Sequence, residues 1–451
     1  MFKKIEIWIL YLFILLSIPV TVFFGVLVRQ ELEGQIKLGG VSKSALFLSE
    51  IPKNLKKAFL DILQVEDRFP SLGGFQGNPN SNESYLLLSR YDGALKEGII
   101  ELVDLTNFNV LHTWNPDIDK FNKSIKKTDE FKNLIRDKNN ARQLLFHPNL
   151  TRDGGLLFYS APLRKIDACS NLIYQINHDW FHFSIEIDSE GNIWVPSHIY
   201  PQSLSREKVG RGLLEDKGFR DDAILKLSPE GKIIFEKSIS QILIDNGLEY
   251  LIFGVGDQDH FNSDPIHLND IQPVEFDGEF WKKGDVFLSL RNQSMVLLYR
   301  PSSNKIIWKG TGPFFQQHDV DILNESSISI FNNNTKKFES GSAVDGNSEV
   351  IIYNFTTDKY SSYQNESFKE NDVRTLRSGR SQILPDGNLF VEETNSGRIL
   401  YFESDGSLRW TFVNRAKNDK VYLLAWSRIL YNDMDIMHVN NFLKTRGKCN
   451  D

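Results

Sequence analysis

Leu384-Pro-Asp-Gly-Asn-Leu-Phe-Val391 reads as the end of one strand, a tight turn and the start of another, and near copies recur along the chain. Ile187-Asp-Ser-Glu-Gly-Asn-Ile-Trp-Val195, Leu227-Ser-Pro-Glu-Gly-Lys-Ile-Ile-Phe235 and Phe402-Glu-Ser-Asp-Gly-Ser-Leu-Arg-Trp410 keep the same order of residue types. Pro301-Ser-Ser-Asn-Lys-Ile-Ile-Trp308 and Leu105-Thr-Asn-Phe-Asn-Val-Leu-His-Thr-Trp114 are looser copies. Acidic-Gly pairs between β-branched and aromatic runs write hairpins. A unit of this size cannot bury both of its faces alone, so successive units must pack on one another and close into a ring. Pairing the hairpins gives units at 83–115, 143–178, 182–240, 267–311, 318–363 and 380–413. The fold class predicted is therefore all-β, a six-bladed β-propeller. The tryptophans at the strand ends, Trp114, Trp194, Trp308 and Trp410, belong to its packing. Insertions at about 199–220 and 241–266 interrupt the period, and insertions in such rings gather as loops on one face.

Outward from the repeat, the two ends differ from it. Ile7 to Val28 is an almost unbroken apolar run of spanning length, with no small-x-small cleavage site after it, so it is expected to be a retained transmembrane signal-anchor. Lys3 and Lys4 precede the run, while Glu31 and Glu33 follow Arg29, which places the N-terminus in the cytoplasm and the rest on the periplasmic or extracytoplasmic side. Lys53 to Leu63 has helical apolar spacing, and Gly73, Gly74, Gly77 and Pro79 break it. The expected organisation is a cytoplasmic tip and anchor over 1–30, a stalk or lead-in over 31–82 outside the main fold, a β-propeller catalytic domain over 83–414, and a C-terminal segment over 415–451.

The formal net charge of the 451 residues is -7, and Lys and Arg are dispersed, so no nucleic-acid footprint is visible. The two cysteines, Cys169 and Cys449, permit one bridge and no thiolate metal site. Asn-x-Ser/Thr triplets at Asn149, Asn292 and Asn354 read equally well as polar turns. There is no phosphate-cradling glycine loop and no dinucleotide fingerprint, and no cofactor is expected.

Three of the nine histidines stand at matching places: His182, His267 and His318 each open the first strand of a unit. First strands line the channel of a propeller, so these imidazoles would meet at one mouth. Asn269 follows His267 by two residues and shares its face in an extended segment. Arg291 forms a charged centre between the apolar runs of Val286 to Tyr299, costly to bury without an anion or carboxylate partner. His112, His147, His198, His260 and His438 lack this placement and read as structural or surface residues. A zinc site built from the three histidines with Asp270 or Asp319 is the competing chemistry, and a guanidinium among the ligands disfavours it; no metal is expected.

His267-x-Asn269, Ser289-x-Arg291-x-Gln293-Ser294 and Gln317-His318-Asp319 are similar to the pattern of the arylsulfotransferase propellers, over roughly residues 150–413. The resemblance implies an aryl-sulfate sulfotransferase that moves a sulfuryl group from an aryl sulfate to a phenolic acceptor, without an adenylyl-sulfate donor. It implies His318 as the nucleophile, a sulfohistidine intermediate with ping-pong kinetics, and His267, Asn269 and Arg291 around the sulfuryl oxygens. His182, with His178 as its alternative, would be the remaining site histidine. The chemistry suits these side chains: a neutral imidazole is a nucleophile, and planar cations and amides stabilise the charged oxygens. The other reading is a non-catalytic, membrane-displayed propeller that binds an anionic or sulfated partner.

Overall fold

The structure, a computed structural model, describes residues 6–32, 40–59, 63–125, 131, 134–160, 162–176, 184–204, 219–254 and 262–445. The chain divides into two compact units, residues 1–62 with 256–261, and residues 63–255 with 262–451.

The first unit contains the helices Ile7–Leu32 and Gly40–Phe59. Ile7–Gln30 has a mean hydropathy of 2.5 and leaves large side chains such as Phe13, Leu15 and Val20 exposed. A helix of its 24 residues spans roughly 36 Å, enough for a hydrocarbon core of about 30 Å. By length and composition this helix can cross a membrane. The second helix starts at Gly40, ahead of the Lys53 start read from apolar spacing, because the good helix formers of Ala45-Leu-Phe-Leu48 extend it upstream.

The second unit is a six-bladed β-propeller, each blade an antiparallel sheet. Its blades run Tyr85–Asp92 to Asn109–Trp114, Phe146–Leu150 to Leu172–Gln175, Glu186–Ile187 to Ile233–Ser238, Leu268–Pro273 to Lys305–Thr311, His318–Asn324 to Lys359–Tyr363, and Arg380–Ile383 to Leu408–Val413. We number them 1 to 6 in this order. The acidic-Gly turns behave as their sequence requires. Asp188 and Asp386 accept from backbone N–H groups two residues on, and the glycines of these turns, Gly191 and Gly387, both at φ +83°, take the left-handed conformation a Cβ would oppose. Alternate side chains pack between blades. Leu88, Val103, Phe390, Ile399, Tyr401 and Trp410 fill the space between blades 6 and 1, and Phe287, Leu298, Ile328 and Ile351 that between blades 4 and 5. Trp114, Trp194 and Trp410 are buried and Trp308 is half-buried in this packing.

Both ends of the ring lie outside the expected 83–414 boundary. Arg428–Leu430 is the innermost strand of blade 1, antiparallel to Tyr85–Leu87, and Gly74–Gly77 is a fifth, outermost strand on blade 6, paired with Trp410–Val413. The ring is thus overlapped from both termini. Residues 74–77, assigned from sequence to a lead-in outside the fold, are a blade strand, and 428–430 belong to the ring as well. Strands this short carry no readable period, and glycines flank the first. The helix Asp433–Thr445 then buries Val439 and Phe442 against Trp114 and Phe121. Cys169 is disulfide-bonded; the other cysteine of the chain, Cys449, lies outside the described residues.

A circuit of hydrogen bonds joins the blades around the channel. The N–H of Ile185 faces His147 Nδ1 at 2.9 Å, Leu268 N–H donates to Asp222 at 3.1 Å, Val320 N–H to Asp270 at 2.7 Å and Ser381 N–H to Asp319 at 2.8 Å. Glu392 accepts from Trp426 and Ser427 N–H, and Ser89 donates to the Leu145 carbonyl. Each buried polar group therefore holds the next blade in register.

Candidate active site

The innermost strands of blades 4 and 5 open at the same end of the ring, and the tight turns between second and third strands reach that end too. His318 is the first residue of its strand and His267 immediately precedes Leu268–Pro273. Beside both, the backbone is left-handed, with φ of +57° at His267, +51° at Gln316 and +49° at Asp319, and the ladders slip by one residue at His318/Val320 and Leu268/Asp270. These bulges turn side chains out of the sheet alternation and toward the mouth.

His318 is buried. Its Nδ1 lies 2.6 Å from Asn333 Oδ1, and the backbone N–H of Ser378 points at its Nε2 from 3.2 Å. Burial drives its pKa well below the usual imidazole value, the Arg291 charge adds to this, and the Asn333 bond opposes it. It is neutral at pH 7.

Arg291 sits in the one-turn 3₁₀ segment Arg291–Gln293 between the second and third strands of blade 4. It donates to Asn292 Oδ1 at 2.9 Å and Gln316 Oε1 at 2.7 Å, both neutral amides. Burial and the nearby Arg377 charge lower its pKa, partly countered by Asp264. A half-buried guanidinium held by amides keeps much of its charge uncompensated, which favours an incoming anion.

His267 Nδ1 lies 2.7 Å from Asp264 Oδ2, which also takes Arg220 at 3.2 Å. Burial would raise the Asp264 pKa, but the bond from His267 and the charges of His267, Arg220 and His198 hold it below the ordinary carboxylate value. Asp264 thus fixes Nδ1 of His267 on a carboxylate. Asn269 is fully buried and donates to the Gln317 carbonyl at 2.8 Å, so it props the segment that carries His318.

The structure thus brings His318, His267, Asn269 and Arg291 to one mouth between blades 4 and 5. His182 and His178 fall outside the described residues. Sequence reading missed Asn333, which meets His318, Thr375 and Ser378, Arg377, whose charge reaches Arg291, and Asp264, which meets His267 three residues on. His198, read from sequence as a structural or surface residue, has its Nε2 3.1 Å from Asp222, the carboxylate that accepts from the Leu268 N–H. Of the others, His147 is fully buried, His112 Nε2 meets the Ala168 carbonyl at 2.8 Å, and His438 is half-buried on the C-terminal helix. His260 lies outside the described residues.

Fold and mouth together define a propeller whose channel entrance is lined by histidine and arginine and suits an anion. The arylsulfotransferase (ASST) family model matches residues 150–415, and the chain belongs to that family. No curated protein matches the chain at a significant level. Among solved structures it is similar to a protein of unknown function from Bacteroides caccae, at 12% identity over 77% of this chain and 99% of that one, with a TM-score of 0.44. It is also similar to virginiamycin B lyase from Staphylococcus aureus, at 9% identity over 60% and 70% of the two chains, TM-score 0.33.

Proposed function

We propose that the chain is a membrane-anchored aryl-sulfate sulfotransferase working by a ping-pong route through sulfohistidine at His318. One observation carries this reading: a buried, neutral imidazole stands beside a guanidinium whose partners are neutral amides, at the end of the ring where the innermost strands begin. The His318 lone pair attacks sulfur, the N–S bond forms and the S–O bond to the aryl group breaks. The departing phenolate takes a proton from His267 Nε2, and Asp264 steadies the imidazole through that exchange. An acceptor phenol then returns its proton to His267 and attacks sulfur, and the N–S bond breaks. Arg291 stabilises the sulfuryl oxygens in both steps. Asn269 supports the Gln317-His318 backbone, and His182 or His178 completes the site.

The apolar N-terminal helix serves as the anchor, with Lys3 and Lys4 in the cytoplasm and the propeller on the extracytoplasmic side. The Cys169 disulfide supports an oxidising compartment.

The test is turnover by the full chain in detergent, given an aryl sulfate and a second phenol. Wild type releases the first phenol and sulfates the second, and His318→Ala does neither. Equal silence of both proteins with anion binding retained would instead favour a non-catalytic anion-binding propeller.

A further inference from the structure

The partners of His318 define which of its nitrogens reacts. Asn333 is fully buried at the end of the second strand of blade 5, and its amide nitrogen donates to two backbone carbonyls, Thr375 O at 2.9 Å and Ser378 O at 2.6 Å. Rotating this amide by half a turn would set its oxygen against both carbonyls, so the orientation is determined: Oδ1 faces His318 Nδ1 at 2.6 Å and can only accept. On the far side of the ring, the Ser378 N–H can only donate, and it points at Nε2. An acceptor on one nitrogen and a donor on the other specify a single neutral tautomer. Ser378, at φ +56°, and Gly379, at φ +92°, give the loop the left-handed course that aims this N–H inward.

We infer that Asn333 is the positioning residue of the nucleophile: it fixes His318 in the Nδ1–H tautomer, so that Nε2 carries the lone pair that takes the sulfuryl group. The chemical consequence rests on the transferase reading, while the tautomer does not. When Nε2 bonds to sulfur and the S–O bond breaks, the ring becomes cationic and the Nδ1–H bond to Asn333 strengthens. An amide oxygen accepts this bond without removing the proton, so the ring remains a good leaving group for the second transfer. The Ser378 N–H, displaced from the lone pair, then lies beside the sulfuryl oxygens as a backbone donor.

The experiment uses full-length protein labelled with ¹⁵N-histidine. The His318 signals are assigned by their loss in His318→Ala, and the tautomer is read from two-bond ¹H–¹⁵N correlations. Wild type should show a protonated Nδ1 and an unprotonated Nε2, and the sulfuryl adduct formed with donor alone should lie on Nε2. Asn333→Ala should show mixed tautomers, with kcat reduced on the order of a hundredfold or more and KM for the aryl sulfate unchanged. Because that substitution also removes the donor from two buried carbonyls, the two wild-type readings decide the question if the variant does not fold. An Nε2–H tautomer in wild type, an adduct on Nδ1, or a folded Asn333→Ala with unchanged tautomer and kcat overturns the inference. A wild type with the stated tautomer and no turnover counts against the transferase reading and supports the tautomer assignment.

Discussion

His147 in blade 2 and His318 in blade 5 occupy nearly the same address, yet their surroundings give them different work. Both stand at the mouth end of an innermost strand beside left-handed backbone, both are buried, and Trp426 packs between them with ring centroids 5.3 Å and 6.2 Å away. Donors surround both nitrogens of His147: Arg380 and Arg428 donate to Nε2 at 2.8 Å and 2.6 Å, and the Ile185 N–H faces Nδ1. Burial and these two charges push its pKa well below the imidazole value. The ring is taken up in joining blade 2 to blades 1, 3 and 6, a task like the one that Asp270 and Asp319 perform between later blades. His318 has the amide oxygen of Asn333 at one nitrogen and the Ser378 backbone N–H at the other, with Arg291 close enough to depress its pKa. Address alone does not make a catalytic imidazole; the partners of its two nitrogens do.

The largest expected effect separates the pair by activity. His318→Ala should lower turnover by about 10⁴-fold or more, whereas His147→Ala should stay within a few-fold per folded molecule. A collapse of rate in folded His147→Ala would break the distinction. Next comes the anion-binding side of the comparison: Arg291→Ala should cost roughly 10²- to 10³-fold in kcat/KM for an aryl sulfate, and a wild-type value would remove Arg291 from the site.

Stability should then rank the two histidines the other way. His147→Ala removes the buried ring that Arg380, Arg428 and the Ile185 N–H all face, which should destabilise the propeller by roughly 2–3 kcal/mol in denaturant unfolding. His318→Ala should cost less, since Asn333 keeps both carbonyl partners and a water can replace the ring at the open mouth.

The smallest effect concerns the carboxylates of the inter-blade circuit. Burial and the neighbouring Asp319 charge raise the Asp270 pKa to about 8, against the Val320 N–H that lowers it. A carboxyl with its folded pKa above the unfolded value near 4 contributes stability at low pH and loses it as pH rises through the folded pKa. Wild type should therefore lose at least about 1 kcal/mol relative to Asp270→Asn between pH 5 and pH 9, measured as a difference in unfolding free energy. A pH-independent difference would show that Asp270 is ionised throughout.

The six blades were legible because Asp-Gly turns and alternating strands are local properties, written within ten residues of each other as in Leu384 to Val391. The closing strands were not: Gly74–Gly77 and Arg428–Leu430 are defined by partners far along the chain, and nothing within them marks a strand. His318, His267, Asn269 and Arg291 could be picked out because polar residues at strand openings interrupt apolar runs. Asn333 sits in an Asn332-Asn333-Asn334 run indistinguishable from a polar turn, and its meaning comes from Thr375, Ser378 and His318, none of them its neighbours in sequence. His147 failed the sequence test for the converse reason, since its arginine partners come from blades 6 and 1.

The most direct measurement is peptide mass spectrometry of the full chain after exposure to an aryl sulfate without acceptor. A sulfuryl adduct on the peptide carrying His318, lost on addition of a phenol, is the predicted result. Turnover with no such adduct, or an adduct on a different residue, would contradict a transfer through His318.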